Sequence, residues 1–245
     1  MTPTRAWNDL LSALGLLTRL PLPAHDARGA SAAWAYPLAG LVIALIAGLA
    51  GFVALCLSLP PQAAALLALA TSIALTGALH EDGLADMADG FWGATTRERR
   101  LEIMKDSRIG SYGVLALGLS LIARWTALTA LFDHHGALWA MIAAMALSRA
   151  AMPALMAALP HARPDGLSRS VGVPPTRTAL HGALIAAVLA YLCLGWGGSA
   201  AILVTALVAA GTARLAARKI GGQTGDVLGA AQQLTEIAVL FVAIA

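Results

Sequence analysis

Residues 35–58 read AYPLAGLVIALIAGLAGFVALCLS, twenty-four positions without Asp, Glu, Lys, Arg or His. A helix rises 1.5 Å per residue, so this stretch is long enough to cross a hydrocarbon core about 30 Å thick. Working outward, six more apolar stretches of comparable length occupy 62–79, 112–132, 137–159, 179–196, 199–217 and 228–245. The whole chain is 59% hydrophobic and 12% charged, with mean hydropathy +0.76. Soluble domains carry about 25% charged residues, and a chain this poor in charge cannot clothe a water-facing surface. These figures exclude the soluble, disordered and nucleic-acid-binding classes. They predict one all-α domain over 1–245, a polytopic membrane helix bundle of about seven transmembrane helices.

Before the first span, Trp7, Leu10, Leu11, Leu14 and Leu17 recur at helical spacing, with Arg5, Asp9 and Ser12 off that stripe. Within the N-terminal segment 1–30 this predicts an amphipathic interfacial helix over 4–20, lying on the cytoplasmic surface. A helix packed on the bundle is the competing reading. Arg5, Asp9 and Arg19 interrupt the apolar run, which therefore does not read as a cleaved signal peptide. Cys56 and Cys193 lie inside apolar runs and have neither metal-ligand nor disulfide spacing.

The connections set the orientation. Those after the first, third and fifth spans are short and hold no Lys or Arg. Those after the second, fourth and sixth hold Arg97, Arg99, Arg100, Lys105 and Arg108, then Arg163, Arg169 and Arg177, then Lys219 just past Arg218. Cytoplasmic loops retain basic residues, so the N-terminus and these three connections face the cytoplasm. The expected location is the cytoplasmic (inner) membrane.

The segment 80–111 is the longest connection and carries seven of the thirteen acidic residues. Asp82, Asp86 and Asp89 stand at i, i+4 and i+7, within about 60° on one helix face. Like charges so placed repel, and a divalent cation would relieve the repulsion. Hard carboxylate donors without His or Cys at ligand spacing favour magnesium, with manganese or calcium as alternatives. Magnesium on carboxylates at a membrane edge points to phosphate or diphosphate chemistry. A solvated acidic loop is the bland alternative. Arg97–Met104 reads as a short helix, and Lys105, Asp106 and Arg108 lie just before the third span, where they could meet a phosphate.

Arg124, Arg149 and Glu236 fall inside predicted spans, where a charge costs at least about 2.5–3.5 kcal/mol and so faces a polar interior. Arg149 can grip a phosphate bidentately, or it can pair with Glu236. The string Gly221-Gly222-Gln223-Thr224-Gly225-Asp226 precedes the last span. Its glycines allow close backbone approach to a ligand, and Asp226 can cap the helix that follows.

These residues, in this order, resemble the cobalamin synthase (adenosylcobinamide-GDP ribazoletransferase) family. The resemblance is carried by His80, Asp82-Gly83-Leu84-Ala85-Asp86, Asp89-Gly90, Arg97, Arg99, Ile103–Arg108, Gly110 and Gly113. It extends to Thr18–Pro23, Pro37 with Gly40, Ser148-Arg149, Ala162-Arg163 with Gly166-Leu167, Gly221–Asp226, Leu228–Ala230 and Glu236. It implies a magnesium-dependent integral membrane enzyme that joins adenosylcobinamide-GDP to α-ribazole, or to its 5′-phosphate, and releases GMP. In that reading Asp82, Asp86 and Asp89 hold Mg2+ and are catalytic together with Arg149. His80, Lys105, Asp106, Arg108, Gln223, Thr224 and Asp226 contact substrate, and Asp89 is a candidate proton acceptor. The implied partners are the lipid bilayer, the corrinoid and ribazole substrates, and other cobalamin-assembly enzymes. CDP-alcohol phosphotransferases, which share the logic of aspartates on membrane helices, are the first rival. They carry Ala-Arg where this chain has Ala85-Asp86. A transporter using Arg124, Arg149 and Glu236 as a polar pathway is the second rival.

Overall fold

A computed structural model describes residues 3–245. It is helical throughout, in the order α1 (Pro3–Leu17), a 3-10 turn (Gly29–Ala35), α2 (Tyr36–Cys56), α3 (Pro61–Thr76), α4 (Leu79–Gly93), α5 (Arg97–Ile103), α6 (Ser111–Asp133), α7 (Ala137–Ala158), α8 (Leu167–Val171), α9 (Thr176–Leu194), α10 (Gly197–Ile220) and α11 (Gly225–Ile244). Each of the seven predicted spans corresponds to one helix, α2, α3, α6, α7, α9, α10 or α11. Six of these are long and apolar enough to cross a membrane alone. The seventh, α3, is joined to α4 through an 85° bend. Gly77 and Ala78 both take left-handed backbone angles there, which breaks the helix. The bend turns α4, with its acidic residues, out of the spanning direction.

α7 is the hub. Nearly all its side chains are buried, and it packs against α2, α9, α10 and α11. A helix apolar on every face belongs in the middle of a membrane bundle. Its neighbours approach closely because small residues line the seams. At Gly40 a Cβ would lie only 2.2 Å from the Met145 carbonyl oxygen of α7. The outer faces of α6, α9 and α10 expose Leu115, Leu119, Leu184, Leu192, Leu203 and Leu207, side chains suited to lipid.

The N-terminal helix packs on the bundle, the second reading its stripe allowed. α1 packs on the 3-10 turn and α2. Leu11, Leu14 and Leu17 are buried as the stripe requires, but Trp7 is exposed and the off-stripe Asp9 is buried. Asp9 is satisfied by an ion pair with Arg28 and by the Trp34 indole N–H at 2.9 Å. A buried carboxylate with two such partners fastens α1 to the bundle.

Gly40→Ala should strain the α2–α7 seam at a cost on the order of 1–3 kcal/mol. The expected readout is a lower melting temperature in detergent. Gly118→Ala on α6, where a Cβ meets nothing within 4 Å, should melt no lower than the parent.

Candidate active site

Two helices build the site, and glycine lets them touch. α4 crosses α11 at Gly83 and Gly229. A Cβ at Gly83 would lie 3.0 Å from the Asp226 carbonyl oxygen and 3.3 Å from the Gly229 Cα. A Cβ at Gly229 would lie 3.2 Å from the His80 carbonyl oxygen. This approach brings Asp82 and Asp86 of α4 beside Asp226 in the first turn of α11. Asp82, Asp226, His80 and Arg163 line a cavity of about 230 Å³. Its other walls are apolar, from Leu17, Tyr36, Met152, Met156 and Leu228.

The electrostatics follow from this crowding. Asp86 is half-buried, and its carboxyl is pushed up to about 7, first by partial desolvation and then by the negative charges of Asp226, Asp82 and Asp89, against a smaller pull from Arg163. Arg163 Nη1 lies 3.4 Å from Asp226 without forming a hydrogen bond, and its Nε lies 3.7 Å from Asp165. A guanidinium facing surplus carboxylates across an open cavity is arranged to share a phosphate.

Asp89 is turned elsewhere. It is 7% exposed, and its two oxygens accept the backbone N–H groups of Gly110 at 2.7 Å and Gly113 at 2.8 Å. It thus caps α6 from a neighbouring helix, satisfying donors a helix start leaves open. Glycine is needed at both positions, because a Cβ there would meet the carboxylate at 2.5 Å or less. The three aspartates share a helix face as the spacing predicts, but one serves α6. Among the described residues no three acidic, His or Cys side chains converge as a ready-made metal cage.

Arg149 is likewise placed away from the cavity. It sits, 2% exposed, in a buried network, where it pairs with Glu236 at 3.4 Å and donates to the Met145 carbonyl. Arg124 donates to Glu81 at 2.9 Å and lies 3.7 Å from Glu236. Gln232, Gln233, Ser120 and Ser148 add hydrogen bonds, while Glu81 Oε2, Arg124 Nε and Nη2 and Arg149 Nε have none. Two arginines thus face two glutamates. The residues charged with a transporter pathway pair with one another, and Arg163, not Arg149, lines the cavity.

The Gly221–Asp226 string also acts mainly as architecture. The Gln223 side chain is buried, accepts from the Ser168 hydroxyl at 2.6 Å and meets His161 at 2.9 Å. Its backbone bonds to Pro160 and Ala162, so the α7–α8 connection is zipped to the start of α11. Thr224 caps α11 through the Val227 N–H and donates to Asp226. Neither side chain lines the cavity; Asp226 does. Lys105 pairs with Asp165 at 2.6 Å on the loop that carries Arg163. Asp106 and Arg108 pair with each other on the exposed α5–α6 connection, where the bond from Arg108 holds the Asp106 carboxyl down at about 2, and neither lines the cavity. Arg97 and Arg100 donate to the carbonyls of Ile220 and Lys219 at the end of α10, and Arg97 also to that of Ala162. Arg163 was missed as a site residue because only the non-local pairing of Gln223 with the 160–162 stretch brings its loop over α11. Its place beside Gly166-Leu167 was the one sequence signal that could have found it.

The family model for cobalamin-5-phosphate synthase matches residues 9–244. Among curated relatives, adenosylcobinamide-GDP ribazoletransferase of Mesorhizobium japonicum is 47% identical over 247 residues, covering 99% of this chain and 95% of the relative. The protein of the same name from Bradyrhizobium diazoefficiens is 49% identical, covering 97% and 93%. That from Brucella ovis is 47% identical, covering 95% and 94%. No solved structure matches.

Two outcomes test this geometry. Asp86 ionises more readily unfolded, near 4, than folded, near 7. Its contribution to stability is therefore lost as pH rises through that window. Solvent screening at a half-exposed group leaves on the order of 1 kcal/mol. In metal-free buffer Asp86→Asn should melt above the parent at pH 8, with the difference fading toward pH 4. Separately, Arg149→Met strands Glu236 in a dry interior and should cost about 3–5 kcal/mol, read as loss of folded protein. The double variant Arg149→Met/Glu236→Leu should recover folded protein and activity. A folded but inactive double variant would return Arg149 to the catalytic group.

Proposed function

The chain belongs to the cobalamin-5-phosphate synthase family, and from that premise we propose that it joins adenosylcobinamide-GDP to α-ribazole, or to α-ribazole 5′-phosphate, with release of GMP. The observation that carries this reading is the cavity in which surplus carboxylates of two helices face an underemployed guanidinium. Such a site suits a diphosphate with a divalent cation and suits few other ligands. Family membership removes both the CDP-alcohol phosphotransferase reading and the transporter.

Magnesium fits the donor set. It keeps several waters and takes only one or two carboxylates together with substrate phosphates, so no complete protein cage is required. Asp82 and Asp226 at the cavity, with Asp86 beside them, would hold it. When bound, it neutralises charge on the diphosphate and on the departing nucleotide. Arg163 holds phosphate oxygens from the opposite wall and stabilises charge on the group in transfer. Leu17, Met152, Met156 and Leu228 keep bulk water from competing with the acceptor. The acceptor's ribose hydroxyl oxygen bonds to the cobinamide-side phosphorus, the bond to the GMP oxygen breaks, and the hydroxyl proton is released. Asp89 takes no part in proton transfer, since both its oxygens hold α6. The distribution of basic loops supports a site on the cytoplasmic side of the inner membrane.

Purified protein in detergent, supplied with both substrates, should release GMP only with Mg2+ present. Asp82→Asn and Arg163→Lys should each lower the rate by about 100-fold or more without lowering the melting temperature. Turnover that survives a chelator would overturn the metal assignment, and full activity in Arg163→Lys would overturn the anion-holding role.

A further inference from the structure

A second cavity, of about 470 Å³, opens beside the first and shares Leu16, Tyr36, Leu167 and Val171 with it as common wall. Its remaining lining is Ser12, Gly15, His25, Ala27, Gly29 and Ser170. Resting on the function proposed above, we infer that this cavity binds the acceptor nucleoside, a riboside of an apolar bicyclic base, and that the Tyr36 hydroxyl contacts its sugar.

Three observations carry this. First, the Tyr36 side chain is 1% exposed, and its hydroxyl has no hydrogen-bond partner. A buried hydroxyl left unpaired costs free energy, and Tyr36 lines both cavities, so a sugar seated between base and phosphate would supply the partner. Second, the polar side chains of the lining are three hydroxyls and one imidazole, from Ser12, Tyr36, Ser170 and His25, with no carboxylate and no amide. The nearby Asp9 is consumed by Arg28 and Trp34. A guanine donor edge finds no carboxylate or amide oxygen to accept from it there, whereas a methylated benzimidazole has no such edge to satisfy. His25 contributes one acceptor: its Nδ1 meets the Pro23 carbonyl at 2.9 Å, and since a carbonyl only accepts, the neutral ring carries its proton there and leaves Nε2 as the acceptor. Third, a corrin macrocycle exceeds both cavities, so the donor enters the first one by its nucleotide tail alone. The adjoining space is left for the acceptor.

The test uses full-length protein in nanodiscs and equilibrium dialysis with α-ribazole alone, beside GMP release with both substrates. Tyr36→Phe removes one unpaired oxygen. It should weaken α-ribazole binding about fivefold and raise KM for that substrate alike, while the melting temperature holds or rises and KM for adenosylcobinamide-GDP stays put. Ser170→Trp fills the cavity and should weaken α-ribazole binding at least tenfold. Tyr36→Phe keeps the test decisive if the bulkier variant does not fold. Unchanged α-ribazole binding in Tyr36→Phe, or an effect confined to adenosylcobinamide-GDP, overturns the assignment. Failure of the parent protein to release GMP would instead strike the function on which it rests.

Discussion

The close crossing of α4 over α11 is the constraint on which the site depends. Where Gly83 faces Gly229, backbone meets backbone with no side chain between. Carboxylates from two helices are thereby held within one another's field, a cost expressed in the raised carboxyl of Asp86. The chain supports that cost from outside the cavity. Asp89 pins α6 to α4, Gln223 ties the Arg163 loop to α11, and the Glu81–Arg124 pair fastens α4 to α6 from beneath. Each of these polar contacts would be weak at a wet surface. Each is consequential here because it is shielded from water.

Much of the fold was legible in the chain. Seven apolar runs gave seven helices, because hydrocarbon accepts only segments whose backbone hydrogen bonds are internal. The short helix at Arg97–Ile103 was legible too, from its spacing. What spacing cannot convey is the partner. It put Asp82, Asp86 and Asp89 on one face, yet said nothing of α6 arriving with two open N–H groups beside the third. It marked Arg149 as a charge needing company in the membrane, and both a phosphate and Glu236 met that need. Asp9 stood out only as a residue off the apolar stripe, because its partners Arg28 and Trp34 lie nineteen and twenty-five positions away.

The Gly221–Asp226 string shows how a motif can be functional without touching ligand. Gly222 has room for no Cβ, since the Pro160 carbonyl oxygen lies 2.2 Å from that position. That contact, the Gln223 hydrogen bonds and the Thr224 cap fix the loop from Pro160 to Ser168 over the cavity. Asp226 and Arg163, one from each side of this seam, are then placed to face each other. Glycine, glutamine and threonine build the seam; aspartate and arginine use it.

The polar core beneath the cavity has an electrical consequence. Arg124 and Arg149 are matched by Glu81 and Glu236, so the cluster has no formal charge to be pushed. A membrane voltage does work of about 2.3 kcal/mol on each unbalanced elementary charge carried across 100 mV. On a neutral quartet it does essentially none. The platform beneath α4 therefore offers a membrane voltage no net charge to pull on.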